Sequence, residues 1–358
     1  VPVSQITIPA PRTWAPGDLP TVPRLRADAV GAVALLLQRP LFIGQQTTGE
    51  TVTTTNDVTV TLDTVLADTW AGFANRAGNV YNCELPGWYL CDARIPVNWG
   101  GGSASAFSCG FSCSTVNAGA TAYGARTAST GASGVVTPRV VDLIPMITSS
   151  VTAVIARQET GSTLTLDNTS TTLPVVCMRW VCAATGTAGL PVPPLATCPT
   201  PITSAWLNAN IRDTVNFLIY PPAFRGRLTS GSIATGTQTA VSLNAVDFDN
   251  YSAYSGGGAG YVAPVSGRYL VAGQVNYAAS SSSAIYSCGV SVAGTPYWGG
   301  IVPFSGSSLA AGASVVKRVR VTAGQLIQLI VAQSSGGSLS INTAAATQTR
   351  MVIAWEGA

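Results

Sequence analysis

The sequence predicts an all-β protein of two tandem jelly-roll β-sandwiches, each preceded by a short α-helix. Three observations predict it. The second half of the chain repeats the first; both halves consist of short alternating runs divided by Gly, Ser, Thr and Asn; and 47% of residues are hydrophobic but only 9% charged. The helical stretch at 25–37, closed by Pro40-Leu41-Phe42-Ile43-Gly44, returns at 207–219, closed by Pro222-Ala223-Phe224-Arg225-Gly226, an offset of 182 residues (207 against 25). The offset then falls slowly. Asp68 matches Asp249 at 181, Gly87-Trp88-Tyr89-Leu90 matches Gly267-Arg268-Tyr269-Leu270 at 180, and Ser108-Cys109-Gly110 matches Ser287-Cys288-Gly289 at 179. Gln158/Gln333, Gly161/Gly336 and Trp180/Trp355 all match at 175. Ordered matches with small indels mark a duplicated domain, not a solenoid, which stacks short units at least about three deep.

Residues 1–40 form an N-terminal arm and helix, the helix running from about Thr21 to Gln38. It is apolar almost all round at its end, where Leu35, Leu36 and Leu37 follow one another. Such a surface needs a cover, and a partner chain or another domain is expected to supply it. The first jelly roll occupies 41–182, with Val58-Thr59-Val60-Thr61-Leu62 as one alternating strand. Residues 183–203, rich in Pro and Gly, form a semi-rigid linker. The second helix, 204–222, is capped by Ser204, carries an apolar stripe at Leu207, Ile211, Val215 and Leu218, and stops at Pro221-Pro222. With Phe217 these residues and the three leucines are the expected assembly interface. The second jelly roll, 223–358, has roughly eight strands, a count that suits this architecture.

Composition removes whole classes of function. With no histidine, the Ser-His-Asp and Cys-His designs and most zinc sites are gone. No apolar run approaches the roughly 20 residues of a membrane-crossing helix, and Val1-Pro2-Val3-Ser4-Gln5 lacks the basic region of a signal peptide. The one basic run, Lys317-Arg318-Val319-Arg320, alternates like a solvated strand face, so neither nucleic acid nor membrane insertion is expected. No cofactor or metal is expected either.

Cysteines crowd the first copy and linker: Cys83, Cys91, Cys109, Cys113, Cys177, Cys182 and Cys198, against Cys288 alone in the second copy. Disulfides formed in an oxidising environment are the favoured reading, with buried free thiols as the alternative. Repeated CxxC knuckles of a zinc ribbon are absent.

The second copy resembles the C1q/TNF-like jelly rolls in three stretches. These are Phe248-Asp249-Asn250, then Tyr261-Val262-Ala263-Pro264-Val265-Ser266-Gly267-Arg268-Tyr269-Leu270, then Ala323-Gly324-Gln325-Leu326-Ile327, where Gln325 replaces the usual acid. The lead-ins carry a second resemblance. Arg12-Thr13-Trp14-Ala15-Pro16-Gly17-Asp18-Leu19, and the run from Ala205-Trp206-Leu207-Asn208 through Ile211-Arg212-Asp213 to Phe217-Leu218, are similar to the start of minor tail proteins in phages of actinobacteria. The first resemblance implies a homotrimer, with Tyr269 and Val271 facing its axis unless that strand face is already core. The second implies a virion location and virion proteins as partners.

Glycosidases work without histidine through paired carboxylates, which draws attention to Asp247 and Asp249. Only Asp249 has a counterpart, Asp68, and a turn-capping role is favoured for both. Exposed aromatics are better candidates: Trp99 before Gly100-Gly101-Gly102, and Tyr297-Trp298 before Gly299-Gly300, have the makings of loop tips that contact a host glycan or protein. The expected function is therefore a non-enzymatic virion structural protein, a minor tail or fibre-type subunit. A capsid decoration protein and a carbohydrate-binding adhesin module are the alternatives.

Overall fold

The computed structural model describes residues 13–18, 21–25, 31–53, 56–73, 79–99, 105–114, 121–129, 134–148, 150–158, 163–169, 173–185, 203–255, 260–277, 284–304, 312–341 and 348–357. Linker residues 186–202, with Cys198, lie outside them, as do 26–30 of the first predicted helix.

Short helices α1 (Val22–Leu25) and α2 (Gly31–Leu37) lead into the first jelly roll. Its longer strands are β1 (Leu41–Gln45), β2 (Thr64–Asp68), β3 (Gly87–Arg94), β4 (Ser105–Cys113), β5 (Thr121–Ser129), β6 (Arg139–Met146), β7 (Val151–Gln158) and β8 (Val175–Cys182). One sheet runs β6-β3-β8-β1-β2; the facing sheet is built on β7-β4-β5, with Asp57–Thr59 and Val80–Asn82 on β7. Helices α3 (Ser204–Leu207) and α4 (Asp213–Ile219), joined by a π-helical turn at Asn208–Arg212, precede the second jelly roll. There β9 (Ala223–Leu228), β10 (Ala245–Asp249), β11 (Gly267–Asn276), β14 (Gly312–Val321) and β16 (Thr349–Gly357) form the sheet β10-β9-β16-β11-β14. β12 (Ala284–Val292), β13 (Thr295–Phe304) and β15 (Leu326–Gln333) form the core of the other, in the order β15-β12-β13.

The duplication reaches individual hydrogen bonds. Tyr89 and Tyr269 each donate a phenolic bond to the carbonyl four residues back, Leu85 and Val265, both at 2.7 Å. The Trp180 and Trp355 indoles donate to Pro86 and Ser266, both at 3.3 Å. These rings explain the matched glycines: a Cβ on Gly87 or Gly267 would stand 2.3 Å from the tryptophan Nε1. Asp68 accepts from the amides of Gly72 and Phe73, and Asp249 from those of Tyr251 and Tyr254, so both carboxylates cap turns. Even the edge strands share a bulge, at Leu66 in β2 and Asp247 in β10.

Several expectations need correction. The cap of the second helix is Thr203, whose Oγ1 accepts from the Trp206 amide at 3.2 Å, not Ser204. Tyr269 and Val271 are fully buried inside the second jelly roll, so that face is core and lines no trimer axis. Cys83, Cys91, Cys109, Cys113, Cys177, Cys182 and Cys288 are all free thiols, and only Cys177 is not buried. Cys109 and Cys113 lie on one strand and cannot reach each other. Burial pushes the Cys83 thiol up to about 11 and raises those of Cys91, Cys109, Cys182 and Cys288. A thiol with so little thiolate is an inert core residue.

Candidate functional site

Trp14 and the helix that begins at Ser204 settle against each other. Trp14 is buried, and Asn208 brackets its backbone: Oδ1 accepts from the Trp14 amide at 2.8 Å and Nδ2 donates to its carbonyl at 2.9 Å. The residues after Trp14 turn sharply, Gly17 holding a φ of 91° while Asp18 Oδ2 accepts from the Ala15 amide. The two stretches that carry the minor tail resemblance therefore touch, 194 residues apart in sequence.

Helix α4 wedges between the jelly rolls. Val215 and Ile219 join the apolar cluster of the first copy, while Phe217 packs in that of the second, edge-on to Trp355 at 4.9 Å between ring centroids. Arg39 donates to the Leu218 carbonyl at 3.1 Å and lies over the Trp180 ring. The assembly interface expected from sequence is thus largely internal. Leu35, Leu207, Val215 and Phe217 are buried by this chain itself, Leu36, Ile211 and Leu218 are half-buried, and only Leu37 stands out, 80% exposed. Of the described side chains of α2, Leu35 is covered by its own domains, while Val33 and Leu37 stay exposed.

Aromatic tips fare similarly. Tyr297 and Trp298 lie within β13, beyond a tight turn at Ala293-Gly294, not on a loop tip. Trp298 is half-buried over Gly289, where a Cβ would approach its ring to 2.9 Å; Tyr297 is 40% exposed. Trp99 ends the short strand Val97–Trp99, paired with Gly134, and its side chain is outside the described residues.

Among the described residues, a chain of linked charges lies where the two jelly rolls meet. Leu270, Ala272, Val352 and Ala354, on the outer face of the β10-β9-β16-β11-β14 sheet, share one apolar cluster with Leu90 and Leu143 of the first copy. Trp88 stacks on Phe248 across the seam, 4.1 Å between centroids. Such a pair is worth roughly 0.5–1.5 kcal/mol beyond the area it buries. Within this apolar contact sits Asp142 of β6, a fully buried carboxylate. It accepts from Arg225 Nε at 2.8 Å, from Arg225 Nη2 at 3.1 Å and from Arg350 Nη1, both arginines belonging to the second copy. Arg225 continues to Asp247 at 3.0 Å, Asp247 to Arg227 at 2.8 Å, and Arg227 to Gln348 at 3.1 Å. At the far side Arg179 of the first copy pairs with Glu356 of the second, which also holds Arg318 at 2.9 Å.

Burial alone would raise the Asp142 pKa; Arg225 and Arg350 overcome it and hold the carboxyl at about 2. Asp247, weighed from sequence as a catalytic carboxylate, is spent on two arginines instead. Sequence reasoning missed Asp142, Arg225 and Arg350. One signal was available: Asp142 interrupts Val140-Val141 and Leu143-Ile144, and Arg350 adjoins Met351-Val352-Ile353. A charge inside a core strand demands a partner.

No family model matches the chain, and no curated protein does. Among solved structures it is similar to the globular domain of zebrafish complement 1qA protein (11% identity, TM-score 0.29, covering 40% of this chain and 96% of that one). It is also similar to murine APRIL (9% identity, TM-score 0.29, 37% and 98%) and to Eiger TNF from S. frugiperda (13% identity, TM-score 0.29, 38% and 92%).

Proposed function

We propose that the protein is a non-enzymatic structural subunit of a tailed-phage virion, a minor tail or fibre-type protein acting as a homotrimer. The observation that carries this reading is the bracket of Asn208 on Trp14, which joins the two stretches resembling minor tail proteins into one local structure. A surface poor in charge, with Val33, Leu37 and Leu66 left exposed, favours contact with other protein. Exposed Tyr297 is the residue for a host-surface contact, and favours a glycan-binding role second. Antibody labelling of intact virions tests the reading. Gold at the tail is the expected result; gold over the head would replace it with capsid decoration, and absence of the protein from virions would overturn it.

A further inference from the structure

Because the two jelly rolls share a register, each residue of the seam has a counterpart in the other copy. Asp142 lies opposite Cys91 on β3, and Lys317 lies opposite Val271 on β11; Cys91 and Val271 themselves match at 180 (271 against 91), so Lys317 occupies the place of Asp142. Arg225, opposite Val352, corresponds to Ile43, opposite Cys177; Arg350, opposite Arg227, corresponds to Val175, opposite Gln45. Lys317 is the only lysine of the chain and has no ion pair among the described residues.

We infer that this charge set is a pairing code that lets a first jelly roll dock on a second and keeps like copies apart. A first copy offers Asp142 to Arg225 and Arg350 of a second, the contact observed. Two second copies in the same arrangement would set Lys317 against Arg225 and Arg350, three cations at one apolar seam. Two first copies would bury Asp142 against Ile43 and Val175, a carboxylate with no donor, which is costly. Duplicated domains that keep a common docking face otherwise pair indiscriminately and link chains together; repulsion against the wrong partner prevents it. The inference stands independently of a virion role.

Charge exchange tests it on the full chain. Asp142→Lys should part the two jelly rolls, seen as a rise in radius of gyration by small-angle scattering. Lys317→Asp alone should leave shape and mass as in the parent, since the tethered first copy outcompetes any other chain. The double variant Asp142→Lys/Lys317→Asp should recover a partner in trans, each second copy now offering an aspartate to the arginines of another, and its sedimentation mass should exceed that of Asp142→Lys at least twofold. Should Asp142→Lys not fold, Asp142→Asn/Lys317→Asp against Asp142→Asn carries the same comparison. An unchanged shape in Asp142→Lys, or double variants no heavier than their single-variant controls, would overturn the code.

Discussion

At the scale of the residue, Asp142 sets what breaking a buried ion pair costs. Its arginines outweigh its desolvation, and removing one partner strands the other. Asp142→Asn should therefore destabilise the chain by about 3–5 kcal/mol, read by denaturant unfolding. The pH dependence has a definite sign. The folded pKa is depressed, so the stabilisation is complete above the unfolded value and is lost as pH falls between about 4 and about 2. Gly87 gives a second residue-scale prediction. Gly87→Ala drives a methyl into the Trp180 indole and should lower the melting temperature by several degrees, and Gly267→Ala should do the same against Trp355. The glycines and their tyrosine neighbours were legible as a repeat. Asp142 was not, because its counterpart is Lys317 and its partners lie 83 and 208 residues away.

At the scale of the element, the helices changed meaning between sequence and structure. Periodicity placed a helix ahead of the second jelly roll, and the apolar run 32–37 was expected to need a cover; Leu35 has one, while Val33 and Leu37 are exposed. Which protein covers it is a tertiary fact that no local pattern holds. Leu35 lies in the first core while Leu37, two residues on, faces outward. The pair makes a contrast: Leu35→Glu should prevent folding of the first jelly roll, whereas Leu37→Glu should leave thermal stability within about 0.5 kcal/mol of the parent. Circular dichroism melts distinguish them. Equal damage from both would mean that Leu37 is covered too. The cysteines differ from expectation in the same way: their number suggested bridges, while six of the seven described are buried free thiols.

At the scale of the whole molecule, the two duplicated jelly rolls pack on each other through α4, the Trp88–Phe248 stack and the Asp142 cluster. The repeat made the fold class legible in the sequence, down to which residues match. How the copies face each other was not legible, because it depends on where they differ. Calorimetry of the full chain tests this most directly. At neutral pH both jelly rolls should melt in a single transition. As pH falls below about 4 the clasp should lose on the order of 2 kcal/mol and the transition should split in two. Two separate transitions at neutral pH, unchanged on acidification, would contradict the account.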